Sequence, residues 1–383
     1  MEQGGSGGGT EPDDHTPSEI GSDGPRHISR RRALRITGLV TGGFLAGTVL
    51  PESRREWCHA ALPASMGLDR EFWLTDDRLQ DRPIWSLSLP GTHHASFYEQ
   101  TESWVSPAML TAGHVEAWTR PQSRDVATQL SDGIRWLDIR PHYDPDETDP
   151  LWAHHNLARG PPLEEIVADI GAFLERAERQ AGNEFVLVKL SNYNGFETAT
   201  QERIASLQAL LERHLGEYAL ALPDRAPAEL LDQSLSLFDG PRVGLLYDGH
   251  DPWPGVADDR SRWVRDGWVN EPALEDAHEA ALELTHTDTA RLGEIGYYIT
   301  PTTGHVAGSV TTGWIPGSSR WLAYRSLEEA ARRMAQQFPC FLGQVGLDWR
   351  LNPNVLTVDF YETSAVVAAC QYLSLEGLHG WAN

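Results

Sequence analysis

Apolar residues along this chain follow two spacings that alternate with one another. Short, nearly continuous apolar runs at 185–190 and 242–247 are typical of strands that are covered on both faces. Before and after these runs, apolar residues recur every three or four positions, most clearly over 162–181, which is the pattern of an amphipathic helix. Strands that alternate with helices favour a parallel α/β sheet.

The same two spacings predict elements along the rest of the chain. Strands are predicted over 85–89, 134–140, 151–155, 185–190, 242–247, 296–299 and 355–360, and helices over 162–181, 200–218, 272–284, 326–337 and 363–373. Ser326 is predicted as the N-cap of its helix, with Glu329 as its capping-box partner. Polar residues at the C-terminal strand ends predict a single (β/α) barrel of the TIM type, closed or distorted. A doubly wound open sheet is the alternative.

The N-terminal part of the chain has a different character. Residues 1 to about 28 are rich in Gly, Ser, Pro and acidic residues and lack any apolar period, which indicates disorder. The arginines after Ser29 and the apolar run at 36–50 are typical of an export signal, and they resemble a twin-arginine signal. We therefore expect a leader over 1–65, a catalytic domain over 66–383, and an exported protein that is extracellular or anchored in the membrane.

Charge and cysteine content restrict the partners. A formal net charge of -24 argues against nucleic-acid binding and against docking on anionic lipid by bulk charge alone. Cys58, Cys340 and Cys370 show no metal-binding spacing. Cys340 and Cys370 are predicted either to pair with each other outside the cell or to remain two buried thiols.

Ionisable residues gather at three successive predicted strand ends. His93 and His94 follow the first strand, Asp138 and Arg140 end the second, and the pair 154–155 ends the third. Imidazole exchanges protons near neutral pH, and a guanidinium group gives a phosphate two parallel donors. The pattern predicts acid–base chemistry on an anionic ester.

Several separate motifs occur in this chain in one order. They are L-P-G-T-H at 89–93, Q-L-x-x-G-I-R-x-L-D-I-R-P at 129–141, a strand ending in histidine, an amphipathic helix, and E-F-V-L-V-K-L at 184–190. Over about residues 85–193 the chain resembles the X region of phosphatidylinositol-specific phospholipase C. The resemblance implies cleavage of an inositol phospholipid by a barrel enzyme.

The resemblance also implies roles for individual residues. His93 would take the proton of the inositol 2-hydroxyl, which attacks phosphorus, displaces diacylglycerol and forms a cyclic phosphodiester. His155, which precedes Asn156 where relatives have glycine, would protonate the leaving oxygen, and His154 is the alternative acid. Arg140 stands where metal-independent bacterial members carry a phosphate-binding arginine and calcium-dependent members an acidic residue. We therefore expect no metal and no cofactor.

Supporting roles follow from the same comparison of motifs. Asp138 is expected to orient Arg140 or a histidine, and Asp359 either to hold the tautomer of His93 or to cap the helix that follows. His94 replaces the usual Asp or Asn, and Ser191 replaces a Lys or an acidic metal ligand. Lys189, the only lysine in the chain, is expected to be structural or to face the phosphate. The further candidates for headgroup binding are His94, His154, Lys189, Ser191, Tyr247, Asp248 and Glu271.

Together these features predict an exported, monomeric phosphodiesterase that acts on an inositol lipid. Its contact with the membrane surface would be transient, and tryptophans such as Trp104, Trp118, Trp263 and Trp268 could form its rim, although such residues are more often core. The alternatives are a phosphodiesterase for another lipid headgroup or a glycerophosphodiester, and a degenerate barrel that binds sugar phosphates. His94 and Asn156 keep the last alternative open.

Overall fold

The computed structural model of the chain describes residues 67–105, 111–156, 158–180, 182–198, 200–265, 267–269, 271, 273–283, 291–301, 324–348 and 353–376. The predicted leader, its export signal and Cys58 lie outside the described residues. Within the described part of the chain, no helix combines the length and apolar character needed to cross a membrane.

Strands and helices follow one another along the described part of the chain. The strands are β1 Leu89–Thr92, β2 Glu102–Ser103, β3 Trp136–Ile139, β4 Pro141–Tyr143, β5 Leu151–His155, β6 Ala158–Pro162, β7 Phe185–Leu190, β8 Arg242–Tyr247, β9 Asp258–Asp259, β10 Val264–Arg265, β11 Leu292–Gly296 and β12 Val355–Val358. The α-helices are α1 Asp77–Gln80, α2 Ala112–Thr119, α3 Val126–Ser131, α4 Leu163–Gln180, α5 Thr200–Leu215, α6 Pro227–Leu231, α7 Arg260–Trp263, α8 Leu274–Glu283, α9 Leu327–Asp348 and α10 Val366–Glu376. Single 3-10 turns cover Trp73–Thr75, Ile84–Ser86, Leu235–Leu237 and Tyr361–Thr363.

Eight parallel strands form the main sheet, in the order β10-β11-β12-β1-β3-β7-β8-β9. Read from β1, this order follows the chain in one direction and runs back from its last strand in the other, which is the cyclic order of a (β/α) barrel. A doubly wound sheet would reverse its order at a switch point. The barrel prediction is confirmed in a distorted form, because within the described residues no ladder joins the end strands β9 and β10.

The prediction that residues 151–155 follow as the third strand of the barrel is wrong. β5 lies in a separate antiparallel sheet with the order β2-β6-β5-β4. The chain leaves β3, continues as β4, and turns back so that Tyr143 pairs with Leu151 and Pro141 with Ala153. The turn at 144–150 is too short for the crossover that a parallel partner requires, so the pairing must be antiparallel.

Most predicted elements are present, with shifted ends. The predicted strand at 85–89 is a 3-10 turn followed by β1, and β11 ends where the strand predicted at 296–299 would begin. Helix α9 continues well beyond 337, through Pro339. The N–H of Glu329 donates to Ser326 Oγ over 3.1 Å, but the Glu329 carboxylate accepts from the N–H of Arg325 instead of Ser326.

Both faces of the central strand β7 are covered, as its apolar run predicts. Val186 and Val188 pack in the cluster that includes helices α4 and α5, whereas Phe185 and Leu187 pack in a second cluster with Trp136 and Val355. Cys370 is a free, buried thiol and Cys340 is disulfide-bonded, so neither alternative predicted for Cys340 and Cys370 holds.

The register of the parallel ladders brings their C-terminal ends to one edge. Thr92 of β1 pairs with Val358 of β12 and with Leu137 of β3, and Ile139 pairs with Leu190 of β7. The residues that follow these strands therefore meet, although some are separated by more than two hundred positions in the chain.

Candidate active site

A cavity of about 690 Å³ opens at this edge of the barrel. Its lining includes most of the site residues predicted from the sequence: His93, His94, Arg140, His155, Lys189, Ser191, Asp248 and Asp359. His154, Tyr247 and Glu271 are not among its lining residues, and Asp138 lies behind the cavity wall.

His93 is contacted at both ring nitrogens. Nδ1 lies 2.8 Å from Oδ1 of Asp359, and Nε2 lies 3.4 Å from Nη2 of Arg140. Since a guanidinium group can only donate, Nε2 accepts, and the ring proton is on Nδ1, where it is donated to Asp359. This tautomer leaves a lone pair on Nε2, which is what a base needs.

Asp359 follows β12 directly and is buried. Burial raises the pKa of its carboxyl, and His93 and Arg140 oppose that shift. The helix α10 starts only at Val366, so the alternative prediction of Asp359 as its N-cap is wrong. Phe360, in the left-handed region at φ 44°, turns the chain immediately after the carboxylate.

Asp138 forms ion pairs with two cations from behind the cavity. Its Oδ2 is 3.5 Å from Nη2 of Arg140, and its Oδ1 is 3.7 Å from Nζ of Lys189. Ser191 Oγ donates to Oδ1 over 3.2 Å. Burial alone would raise the pKa of Asp138, but Lys189 and Arg140 override it and hold the pKa below its ordinary value. Asp138 is therefore a charged group that fixes the position of both cations.

The two consecutive histidines of β5 point in opposite directions, as neighbours on a strand do. His155 faces the cavity, and its Nδ1–H donates to the carbonyl oxygen of Thr119. His154 lies on the other side, where its Nε2–H donates to the carbonyl oxygen of Asn192 over 2.6 Å. Burial lowers the pKa of His155 to about 3, with Arg140 adding to the shift, and lowers that of His154 to about 4.

His94 lies between the other two rings of the cavity. Its ring centroid is 4.2 Å from that of His93 and 3.9 Å from that of His155. Burial, followed by the charge of Arg140, keeps the pKa of His94 well below its ordinary value, so the ring is neutral. A neutral ring thus stands where relatives of the resembled family carry Asp or Asn.

The backbone of the cavity wall is strained in several places. His94, Asn156 and Asn192 are left-handed, with φ values of 47°, 43° and 51°. They are three of the four non-glycine residues in this region of φ within the described part of the chain, and all three line the cavity. Such strain is common at functional sites, where neighbouring structure holds the backbone in place.

Sequence reasoning missed several residues of the cavity lining, including Arg260 and Tyr298. Arg260 lines the cavity, and its Nε–H donates to Oδ2 of Asp248 over 2.8 Å. Tyr298 also lines it, two residues after the end of β11. Arg260 follows a strand of only two residues, which has no detectable apolar pattern. The strand predicted over 296–299 included Tyr298, whereas the observed strand ends at Gly296 and leaves Tyr298 just past its end.

A calcium ion does not fit the residues present. Atoms of His93, His94 and Asp138 that could bind a metal lie within 4.8 Å of one another. Calcium prefers six to eight oxygen ligands, and this set offers a single carboxylate. Arg140 and Lys189 already neutralise that carboxylate. The expectation that no metal is required stays a prediction.

Comparison with curated proteins finds relatives for part of the chain. No family model matches it. The variant-surface-glycoprotein phospholipase C of Trypanosoma brucei brucei is 29% identical over 181 residues, covering 47% of this chain and 47% of that protein. The PI-PLC X domain-containing protein 1 of Mus musculus is 26% identical over 159 residues, covering 37% of this chain and 45% of that protein. The chain spans about half the length of these curated relatives.

Comparison with solved structures finds the same fold. The phosphatidylinositol-specific phospholipase C of Listeria monocytogenes superposes with a TM-score of 0.57 at 15% identity, covering 79% of this chain and 99% of that one. The enzyme of Staphylococcus aureus superposes with a TM-score of 0.56 at 15% identity, covering 79% and 97%. At this identity the likeness establishes the fold.

Proposed function

Since this chain carries an X region of the phosphatidylinositol-specific phospholipase C type on a barrel of the same fold, we propose that it is a phosphodiesterase that cleaves an inositol phospholipid. The reaction is internal transfer to a cyclic phosphodiester, carried out by His93 and His155. The observation that carries the proposal is the contact of His93 with Asp359 at one nitrogen and Arg140 at the other, in the cavity that His155 also lines.

The first half of the reaction uses His93 as base. Its Nε2 takes the proton of the 2-hydroxyl while Asp359 stabilises the imidazolium that forms. The freed oxygen attacks phosphorus, and Arg140 neutralises the charge that develops on the phosphoryl oxygens. Lys189, 3.7 Å from Asp138, supplies further positive charge to this wall.

The second half requires a proton on His155. The free protein holds His155 neutral, since burial and Arg140 lower its pKa to about 3. A bound phosphate adds negative charge beside the ring and offsets Arg140, so substrate binding favours the protonated form. His155 then donates its proton to the leaving oxygen of diacylglycerol.

The part of the cavity formed by Asp248 and Arg260 suits a hydroxylated ring. Asp248 offers acceptor oxygens and Arg260 offers donors, and both line the cavity. Trp268 also lines it and is 54% exposed, and Trp104 is 38% exposed, so both are available to a membrane surface. Trp118 and Trp263 are buried in the core and take no part in that contact.

The further expectations rest on the sequence. The arginine-rich segment and apolar run at 29–50 support export across the cytoplasmic membrane by a twin-arginine-like signal. We propose that the exported protein acts as a monomer.

The neutral His94 between the two reacting histidines favours, as a second candidate, a degenerate barrel that binds a sugar phosphate without cleaving it.

The test is hydrolysis of phosphatidylinositol in mixed micelles with a chelator present. The wild type is expected to release a cyclic inositol phosphate, detected by phosphorus NMR. His93→Ala is expected to lower kcat by about 10³-fold or more, since the base that takes the hydroxyl proton is lost. His214→Ala, which removes a surface imidazole paired with Glu164, is the matched control and should leave the rate unchanged.

Two outcomes would contradict the proposal. Turnover only after calcium is added would contradict the role of Arg140 as the cation that neutralises the phosphoryl oxygens. Binding of inositol phosphate without turnover of any phosphodiester would favour the degenerate binding barrel.

A further inference from the structure

The phenol ring of Tyr298 lies flat against the imidazole of His93. The two ring centroids are 4.0 Å apart and the ring planes differ by only 3°. Tyr298 is 6% exposed, so the contact is enclosed by protein. None of the catalytic roles described above uses this residue.

Gly296 makes room for the contact. A Cβ atom at Gly296 would lie 2.6 Å from Cε1 of Tyr298, which is closer than real Cβ atoms approach. Any larger residue there would push the phenol ring from its place. The preceding residue, Tyr297, turns the other way and packs on Phe341, with ring centroids 4.4 Å apart.

Hydrogen bonds alone leave one motion of His93 unrestrained. Asp359 and Arg140 contact the ring nitrogens at its two ends. A ring held only at two points can still rock about the line that joins them. A flat partner on one face stops that motion, and the T-shaped contact with His94, at 78°, adds a second restraint.

We propose that Tyr298 is a positioning residue, which keeps the imidazole of His93 in the orientation that proton transfer requires. The kinetic part of this inference rests on the proposed function. The stack also matters more once the reaction starts, because a protonated His93 is a cation and the face of a phenol ring attracts cations. Its loss should therefore lower kcat more than it raises KM.

The test compares two substitutions at this position. Tyr298→Phe keeps the stacked ring and is expected to stay within about threefold of the wild-type kcat, whereas Tyr298→Leu is expected to lower kcat about tenfold or more with KM within about threefold. Tyr297→Leu is the matched control. It removes a neighbouring tyrosine that is 2% exposed, so it should destabilise the core to a similar degree but retain kcat.

A second readout needs no turnover. The Cε1 proton of His93, identified in NMR spectra by its loss in His93→Asn, is expected to be displaced upfield by the ring current of the stacked phenol. Tyr298→Leu should move this resonance back downfield, and Tyr298→Phe should leave it in place. If Tyr298→Leu fails to fold, Gly296→Ala displaces the phenol ring without deleting it. As expected for Tyr298→Leu, kcat should then fall and the His93 resonance should move downfield.

The outcomes separate the two proposals. A wild type that turns over its substrate, together with an unimpaired Tyr298→Leu, would overturn the positioning role and leave the proposed function intact. A wild type without turnover would overturn the proposed function, and the resonance would then decide the positioning role alone. If the His93 resonance does not move in Tyr298→Leu, the positioning role is overturned. If it moves downfield, the positioning role is supported.

Discussion

At the scale of single residues, the environment of each histidine determines what it can do. His93 contacts a carboxylate at one nitrogen and a cation at the other, which fixes its tautomer. His155 and His94 are buried beside Arg140, and this burial lowers the pKa of both rings and keeps them neutral in the free protein. Imidazoles that share one cavity therefore meet different electrostatic surroundings.

Replacing Asp359 with Asn tests how the tautomer is held. The introduced amide could present its NH₂ group to Nδ1 of His93, which would move the ring proton to Nε2 and remove the lone pair from the cavity. We expect kcat to fall by about 10²-fold or more with little change in KM. Steady-state kinetics with a soluble inositol phosphodiester would measure it, and an unchanged kcat would show that the carboxylate does not control the tautomer.

His154 offers a test of burial that avoids the cavity. Its pKa of about 4 in the folded protein lies below its ordinary value, so the unfolded chain binds the proton first as the pH falls. The free energy of unfolding should therefore decrease as the pH falls from about 6.5 to about 4, by up to about 1.4 kcal/mol per pH unit from this residue. Urea titrations at several pH values would give the free energy of unfolding at each pH. This free energy should change less with pH in His154→Gln, where the introduced amide can still donate to Asn192. Equal slopes in the two proteins would contradict the predicted shift.

At the scale of elements, the antiparallel sheet is joined to the barrel through the segment after β7. The N–H of Tyr143 donates to the carbonyl oxygen of Asn194 over 2.9 Å, and the N–H of Asn194 donates to that of Pro141 over 3.0 Å. The segment continues through Gly195, which is left-handed at φ 77°. This junction holds Ser191 and Asn192 at the cavity wall on one side and His155 on the other.

The junction predicts that Gly195 tolerates no side chain. A Cβ atom there would collide with the carbonyl oxygen of Tyr143. Gly195→Ala should lower the free energy of unfolding by about 3 kcal/mol, from left-handed strain and the collision together. Gly182→Ala is the matched control, because Gly182 is also left-handed, at φ 97°, but an added methyl group there would have nothing within 4 Å. It should cost only about 1 kcal/mol, and equal losses by chemical denaturation would contradict the collision.

At the scale of the whole molecule, acidic residues outnumber basic ones. The formal net charge of -24 acts against compaction by mutual repulsion of like charges. An anionic phosphate can still contact Arg140, Lys189 and Arg260, which line one cavity together with Asp248 and Asp359. Charges on the distant surface act on it weakly, because solvent screens them.

Salt should therefore stabilise the protein. We expect the melting temperature to rise between about 0.05 M and about 1 M NaCl, where the screening length falls from more than about 10 Å to about 3 Å. Thermal unfolding followed by circular dichroism would measure the change. KCl at the same concentrations should have the same effect, whereas a rise with one cation only would indicate a specific site instead of screening.

The sequence alone determined the features that depend on local pattern. The apolar runs of β7 and β8 identified buried parallel strands, because alternation and turn residues act over a few neighbours. The candidate roles of His93, Arg140 and Asp359 came from the resemblance of the motifs to a known family.

Tertiary structure decided the features that depend on distant segments. The pairing of β5 with β4 forms a hairpin that the sequence pattern describes equally well as a barrel strand. This pairing directs His155, the histidine that the sequence comparison favoured, towards the cavity. Asp359 reaches His93 across 266 positions only through the ladder of β1 with β12. The contact of Tyr298 with His93 likewise requires β11 to pair with β12. The register of these neighbouring strands sets the stacking of the two rings, and no local sequence pattern encodes that register.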